Sequence, residues 1–285
     1  MADARLVAGL ALLAGLAAAV ALGPWLWPLD PTFIDPDTVR MLAARNLPGS
    51  AAHPLGTDQL GRDLLARLLQ GGRISLAVGL SAMVLAVTLG TAIGVLAGWV
   101  RGLDGLLMRL TDACLSLPLL PLLLVLLMLF RDAASRALGP EAGPFILIVA
   151  ALGLTAWMPV ARLARAEVLT LRERDFIRAA QGIGARGPRI IRHHLLPNLA
   201  APVLVAATLC VAEAILLESV LSFLGQGFPP DFPTWGSLLH EGLDDIRSHP
   251  GRVLWPGLAI TLTVLAVNLL GEGLRRQLDP RLRDL

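Results

Sequence analysis

The sequence has 285 residues, 55% of them hydrophobic, with a formal net charge of +2 and a mean hydropathy of +0.68. Water-soluble proteins contain about 45–50% apolar residues, so this composition argues against a soluble fold. All 24 basic residues are Arg, and a chain without Lys cannot supply a phosphate-loop or Schiff-base lysine. We therefore expect no nucleotide-hydrolysing site of its own, and the small net charge gives no reason to expect nucleic acid as a partner.

Six apolar stretches are long enough to cross a hydrocarbon core about 30 Å thick, which needs about 20 residues per helix. The chain is therefore predicted to be an all-α polytopic membrane protein. The first stretch could instead be a cleaved signal peptide, because Ala19-Val20-Ala21 resembles a cleavage site. The six predicted spans are Leu6–Gly23, Ile74–Val100, Ala113–Phe130, Pro144–Ala161, Leu199–Gly225 and Val253–Gly271.

Arginine bias predicts the orientation, because positively charged loops are retained in the cytoplasm. With the amino terminus inside, the inner segments hold 15 arginines and the longer outer segments hold 9, so both termini are predicted to be cytoplasmic. Cys114 and Cys210 lie in or beside apolar runs, which predicts buried thiols and no cysteine metal site.

The stretch that precedes the second span, His53–Asp63, leads into a predicted short amphipathic helix. Gly71-Gly72 is expected to end this helix, which would lie on the outer membrane surface as a connector or contact cargo. Its predicted features are a cap at Thr57 or Asp58 and two ion pairs, Asp58 with Arg62 and Asp63 with Arg67.

The second span carries small residues four apart, which form one ridge along a helical face. Such a ridge favours close helix packing, within this chain or with another subunit, over ligand contact. Its members are Ala82, Ala86, Gly90, Gly94 and Gly98.

The connection between the fourth and fifth spans holds eight arginines, and a short helix is predicted from Asp175 as its N-cap to Gly184 in a left-handed conformation. Two interpretations stay open from the residues alone: a solvated basic loop, or a slim helix that inserts into a groove on a partner. The candidate contact residues are Ile177, Arg178, Ala179, Ala180, Gln181, Gly184, Leu196 and Pro197.

Glu213 and Glu218 are carboxylates inside the fifth span, where a charge costs at least about 2.5 kcal/mol near the helix centre. Five residues separate them, or about 140° around the helix, so they are not expected to face one cavity. Both are candidates for a transport path or a subunit contact, with a buried hydrogen-bonded role favoured for Glu213.

Arg178-Ala179-Ala180, followed by Gly184 and by Leu196-Pro197, resembles the cytoplasmic loop of ABC-importer permeases. That loop is usually written Glu-Ala-Ala, three residues, Gly, nine residues, Ile, one residue, Leu-Pro. Here Arg178 replaces the Glu and His194 replaces the Ile.

Further stretches are similar to the second permease of the peptide and nickel branch: His53–Asp63, Met108-Arg109, Glu218 before Leu221–Gly225, Trp235-Gly236, Asn268–Arg275 and Leu278–Arg281.

The resemblance implies the type I importer fold, in which this chain is one of two homologous permeases. The implied partners are that second permease, two cytoplasmic ATPases that bind ATP and Mg, an extracytoplasmic binding protein and the lipid bilayer; this chain itself binds no cofactor. Residues 177–184 would form the coupling helix, and the implied cargo is a di- or oligopeptide. The expected regions are 1–23 (first span), 24–73 (extracytoplasmic loop), 74–275 (permease core, with its coupling loop at 162–198) and 276–285 (tail).

Individual residues are compatible with three other functions. A nickel-chelate permease of the same branch could use His53, His240 or His249, although their spacing is not that of a metal site. An ion-coupled carrier could use Glu213 and Glu218. An intramembrane enzyme could use Ser237 with His240, or a zinc pattern that lacks its second His because Asp244 stands there.

Overall fold

The computed structural model describes residues 4–278, and within them all regular structure is helical. The predicted tail arginines Arg281 and Arg283 lie outside the described residues. A π-helical turn, Ile191–Leu195, joins α8 to α9. The α-helices of the described part are α1 Ala4–Leu26, α2 Thr38–Ala44, α3 Leu64–Trp99, α4 Arg101–Leu115, α5 Leu119–Leu138, α6 Ala142–Arg172, α7 Asp175–Gly182, α8 Gly187–Ile190, α9 Leu196–Phe223, α10 Trp235–Gly242 and α11 Gly251–Leu278.

Five helical runs in the described residues are long and apolar enough to cross a membrane: α1, α3, α6, Gly187–Phe223 and α11. They confirm five of the six predicted spans. With 36 residues and a rise of 1.5 Å per residue, α3 is about 54 Å long, so its ends must project beyond a core about 30 Å thick.

The third predicted span is wrong as a continuous helix. The chain forms α4 and then α5, which meet at an angle of 84°. Pro118 explains the break, because it lacks an N–H and disfavours helical backbone at the preceding Leu117. The sequence analysis also missed α4, although Leu103, Leu106 and Leu110 recur at helical spacing.

The small-residue ridge of α3 lies against α6 of the same chain. A Cβ at Gly90 would lie 2.5 Å from the carbonyl oxygen of Trp157, and one at Gly94 would lie 2.4 Å from that of Ala161. At Gly98 a Cβ would lie 2.8 Å from the Cβ of Val168. The backbones of the two helices are therefore closer than any larger side chain would permit, and Ala82 and Ala86 continue the ridge as buried residues.

Gly71 and Gly72 do not end a helix, contrary to the prediction, because α3 runs through them. A Cβ at Gly71 would lie 3.2 Å from the backbone of Thr234, and one at Gly72 would lie 2.7 Å from the Trp235 ring. Glycine is thus used here for close approach of α10 and costs the helix only about 1 kcal/mol relative to Ala.

The remaining long helices surround this pair. A Cβ at Gly9 of α1 would lie 2.6 Å from the backbone nitrogen of Leu270 in α11, and one at Gly79 of α3 would lie 2.6 Å from Ile215 in α9. Arg5 and Glu272 form an ion pair between α1 and α11. The described spans therefore form one helical bundle.

The ridge gives a direct test, a comparison of Gly94→Ala with Gly105→Ala. A Cβ at Gly94 collides with the α6 backbone, whereas nothing lies within 4 Å of one at Gly105 in α4. We expect Gly94→Ala to lower the stability by about 1–3 kcal/mol through overpacking. Gly105→Ala should leave stability unchanged or raise it slightly, because Ala favours helix. Thermal unfolding in detergent measures both, and equal melting temperatures would contradict the packing assigned to Gly94.

Candidate functional site

The connection between α6 and α9 folds back against the bundle. Gly184 follows α7 with φ +81°, as predicted, and its N–H donates to the carbonyl of Gln181 at 2.9 Å. Asp175 lies in the first turn of α7, and Arg174 is the N-cap without a side-chain cap, so the predicted capping role of Asp175 is wrong.

One face of α7 is buried against the ends of three spans. Ile177 is 0% exposed and Ala180 is 7% exposed. The cluster in which both are packed draws one residue each from α3, α6, α8, the π-helical turn and α9: Val95, Val168, Ile190, Leu195 and Leu199. Ala180 thus contacts its own chain, whereas Ala179 is exposed. Contact of Ala179 with a partner stays a prediction.

A second face of α7 is apolar and exposed. Phe176 is 43% exposed, Ile183 is 87% exposed, and Ala179 lies between them on the same side. The spacing i, i+3, i+7 places the three side chains within one stripe. We call Phe176, Ala179 and Ile183, the residue that follows α7, the α7 patch; it is an apolar surface that the described part of the chain leaves exposed.

The other residues of the predicted contact set are exposed. Arg178 donates to Glu173 at 2.7 Å, and this hydrogen bond lowers the pKa of the Glu173 carboxyl. The charge of Arg178 is therefore paired within the chain. Gln181, Leu196 and Pro197 are exposed, the last two at the start of α9.

The two carboxylates of the fifth span have opposite surroundings. Glu218 is 0% exposed and accepts hydrogen bonds from Ser75 at 2.8 Å and Ser222 at 2.6 Å. It lies inside this chain and is not exposed at its surface. Glu213 is exposed, so the favoured buried, hydrogen-bonded role for Glu213 is wrong, whereas Glu218 has that role.

The bundle end opposite α7 holds a buried ionic network. Arg67, 1% exposed, donates to Asp58 at 2.7 Å and to both oxygens of Glu241 at 2.6 and 2.9 Å. Arg62 also donates to Asp58, at 2.7 Å, and to Glu241, at 3.0 Å. The predicted Asp58–Arg62 pair is confirmed, and Arg67 is paired with Asp58 and Glu241 instead of Asp63.

Asp63 is instead the N-cap of α3, accepting from the Ala66 N–H at 2.7 Å. It also lies 2.8 Å from His53 and accepts from Trp27 at 3.1 Å. The predicted helix start at Thr57 or Asp58 is therefore wrong, because the loop through residue 63 is held by side chains and α3 begins at Leu64.

Arg252 at the start of α11 extends the network. It is 4% exposed, pairs with Asp245 and Asn46, and donates to the carbonyl of Thr57 at 2.9 Å. We call this network, from the 46–63 loop to α10 and α11, the ionic cap. The roles of Glu241 and Arg252 in this network were not predicted from the sequence, because the partners that tie them to the 46–67 segment are more than 170 residues away.

The charges of the ionic cap stabilise one another. Burial raises the pKa of Asp58, but the guanidinium groups of Arg62 and Arg67 outweigh burial, and the net shift is downward. The Asp58 carboxylate therefore stays charged, and its stabilising effect is present above an unfolded pKa of about 3.8 and lost as pH falls through the lower folded value.

Truncating Arg67 tests the ionic cap. Arg67→Met leaves Asp58 and Glu241 short of a partner, and removal of one member of a buried pair costs about 3–5 kcal/mol. Arg40→Met is the matched control, since Arg40 is exposed and 3.8 Å from Asp37, a pair worth no more than about 1 kcal/mol. We expect only Arg67→Met to lower the melting temperature and to speed trypsin cleavage at Arg45. Equal behaviour of the two variants would contradict the network.

Comparison with known proteins agrees with this architecture. Residues 90–284 match the family described as the binding-protein-dependent transport system inner membrane component. The chain is 42% identical over 276 residues to a putative peptide transport system permease protein of Brucella suis, covering 96% of this chain and 87% of that protein.

Two further relatives are similar over nearly the whole chain. A dipeptide transport system permease protein of Bacillus subtilis is 39% identical over 97% of this chain and 82% of its own length. An oligopeptide transport system permease protein of Haemophilus influenzae is 37% identical over 96% and 84% respectively. The helical bundle, its exposed α7 patch and these matches lead to one conclusion: the chain belongs to the family of inner membrane permease components of binding-protein-dependent transport systems.

Proposed function

We propose that this chain is one permease subunit of an ATP-driven importer that carries di- or oligopeptides across the inner membrane of a bacterium. The observation that carries the proposal is the α7 patch, an exposed apolar surface on a helix whose other face is packed against three spans. The peptide cargo rests on the relatives, which are described as peptide, dipeptide and oligopeptide permeases. Those names favour peptide over nickel.

The proposed mechanism is transmission of a movement through α7. A partner that binds the α7 patch and moves carries Ile177 and Ala180 with it. These two residues contact α3, α6 and α9 through one tightly packed cluster. Close-packed interiors transmit displacement because they are hardly compressible. A shift of α7 therefore becomes a tilt of the spans, as coupling through a contiguous packed network requires.

The chain has no Lys for a phosphate loop, so ATP and Mg are assigned to two separate ATPase subunits that dock on α7. A second homologous permease completes the path, and an extracytoplasmic binding protein delivers the peptide. No cofactor or metal ion is assigned to this chain.

The proposed orientation places both termini and the α7 patch in the cytoplasm, and the ionic cap outside. The support is the arginine bias, because eight arginines lie between Arg162 and Arg192 beside α7. The ionic cap lies at the other end of α3, beyond the membrane core, where water and the binding protein have access.

Ala179→Trp tests the proposal. The added indole occupies the centre of the α7 patch, so we expect it to block docking of the ATPases and reduce ATP-dependent peptide uptake at least about tenfold, a loss of about 1.4 kcal/mol or more in coupling. Uptake of a labelled dipeptide by cells that express the complete system measures the loss, and co-purification measures the ATPase subunits bound.

Ala52→Trp is the control, the same replacement at an exposed position in the loop of the ionic cap. It should leave uptake and co-purification unchanged. Full uptake by Ala179→Trp would overturn the docking role of α7, and peptide-independent nickel accumulation by the unmodified system would overturn the peptide assignment.

A further inference from the structure

The α7 patch contacts the rest of the chain at a second point, apart from the buried cluster under α7. The ring of Phe176 lies against the ring of His194, with centroids 6.2 Å apart and planes tilted by 49°. Paired rings attract one another at separations of about 4.5–7 Å. Phe176 is 43% exposed and His194 is half-buried, so this contact lies at the edge of the proposed docking surface. The His194 ring therefore restricts the orientation of one of the three patch side chains.

The π-helical turn sets the direction of His194. The Leu196 N–H donates to the carbonyl of Ile191, five residues back, so the turn holds more residues than an α-helical turn would. Pro197, which lacks an N–H, cannot continue the α-helical ladder into this turn. The side-chain amide of Asn198 donates to the carbonyl of His194 at 2.7 Å. Single π-helical turns of this kind often lie at functional sites.

The two residues on either side of His194 have different roles. Leu195 is 0% exposed and belongs to the cluster that holds Ile177, so the turn is fixed to the packed core. His193 is exposed, and its Nδ1 lies 3.1 Å from the carbonyl of Arg189, one turn earlier. Of the two adjacent histidines, His194 is thus the one whose ring contacts the α7 patch.

From this contact we infer that His194 is a positioning residue for coupling. Its ring holds Phe176 in the orientation that the ATPase subunit receives, and it passes a displacement of Phe176 to the start of α9. The inference rests on the proposed function. The buried cluster joins α7 to α3, α6 and α9 together, whereas the His194 contact leads to α9 alone. Loss of the ring should therefore weaken coupling while α7 stays in place.

Peptide uptake per ATP hydrolysed, measured with the complete system in proteoliposomes, tests the inference. His194→Ala removes the ring, His194→Phe keeps one, and His193→Ala is the matched control. We expect His194→Ala to lower uptake per ATP about twofold to tenfold, the range that corresponds to one aromatic contact, with the ATPase subunits still co-purifying. His194→Phe and His193→Ala should keep the ratio of the unmodified system.

A double-mutant cycle shows whether His194 acts through Phe176. Phe176→Leu keeps an apolar side chain in the α7 patch and removes the ring. In that background His194→Ala should have no further effect, because the contact is already lost.

Three results would each overturn the inference: an unchanged ratio in His194→Ala, an equal loss in His194→Phe or His193→Ala, or effects of His194→Ala and Phe176→Leu that multiply. Absence of ATP-dependent peptide uptake by the unmodified system would instead refute the proposed function.

Discussion

Close contact between α3 and α6 is the constraint on which the other features depend. Gly90 and Gly94 leave no room for a Cβ between the two helices, so their backbones hold a fixed distance and register over several turns. In a membrane, where lipid is as apolar as Leu, such packing of small residues is a main source of helix association. Because α3 and α6 are fixed to each other, their ends can serve as rigid supports.

The two ends of the α3–α6 pair are stabilised by different kinds of interaction. At one end an apolar cluster fixes α7 through Ile177 and leaves the α7 patch exposed. At the other end charged groups replace apolar packing, and Arg67 and Arg252 bind the loop, α10 and α11 into the ionic cap. Buried charges of this kind fix geometry more than they add stability, because desolvation offsets much of their attraction. The chain thus joins the exposed α7 patch at one end of the bundle to an end that buried charges hold in place.

Local pattern predicted five of the six spans, the left-handed Gly184 and the Asp58–Arg62 pair, since each depends on neighbouring residues. The prediction failed where contacts between distant parts of the chain determine the structure. Gly71-Gly72 has the sequence of a helix end, but contact with α10 makes it part of α3. Helical periodicity placed Glu213 and Glu218 on different faces but could not tell which face is covered, and the sequence assigned the buried role to the wrong one. The Arg67–Glu241 pair spans 174 residues, a separation for which one sequence carries no signal.

The sidedness of α7 tests the account most directly, because coupling to a cytoplasmic motor requires the α7 patch inside the cell. The measurement is labelling of Gln181→Cys by a membrane-impermeant maleimide in a chain whose Cys114 and Cys210 are replaced by Ala, with Ala52→Cys as the reference for the opposite side. The account predicts that intact spheroplasts label Ala52→Cys alone and that Gln181→Cys reacts only after the membrane is opened. Labelling of Gln181→Cys in intact spheroplasts would contradict it.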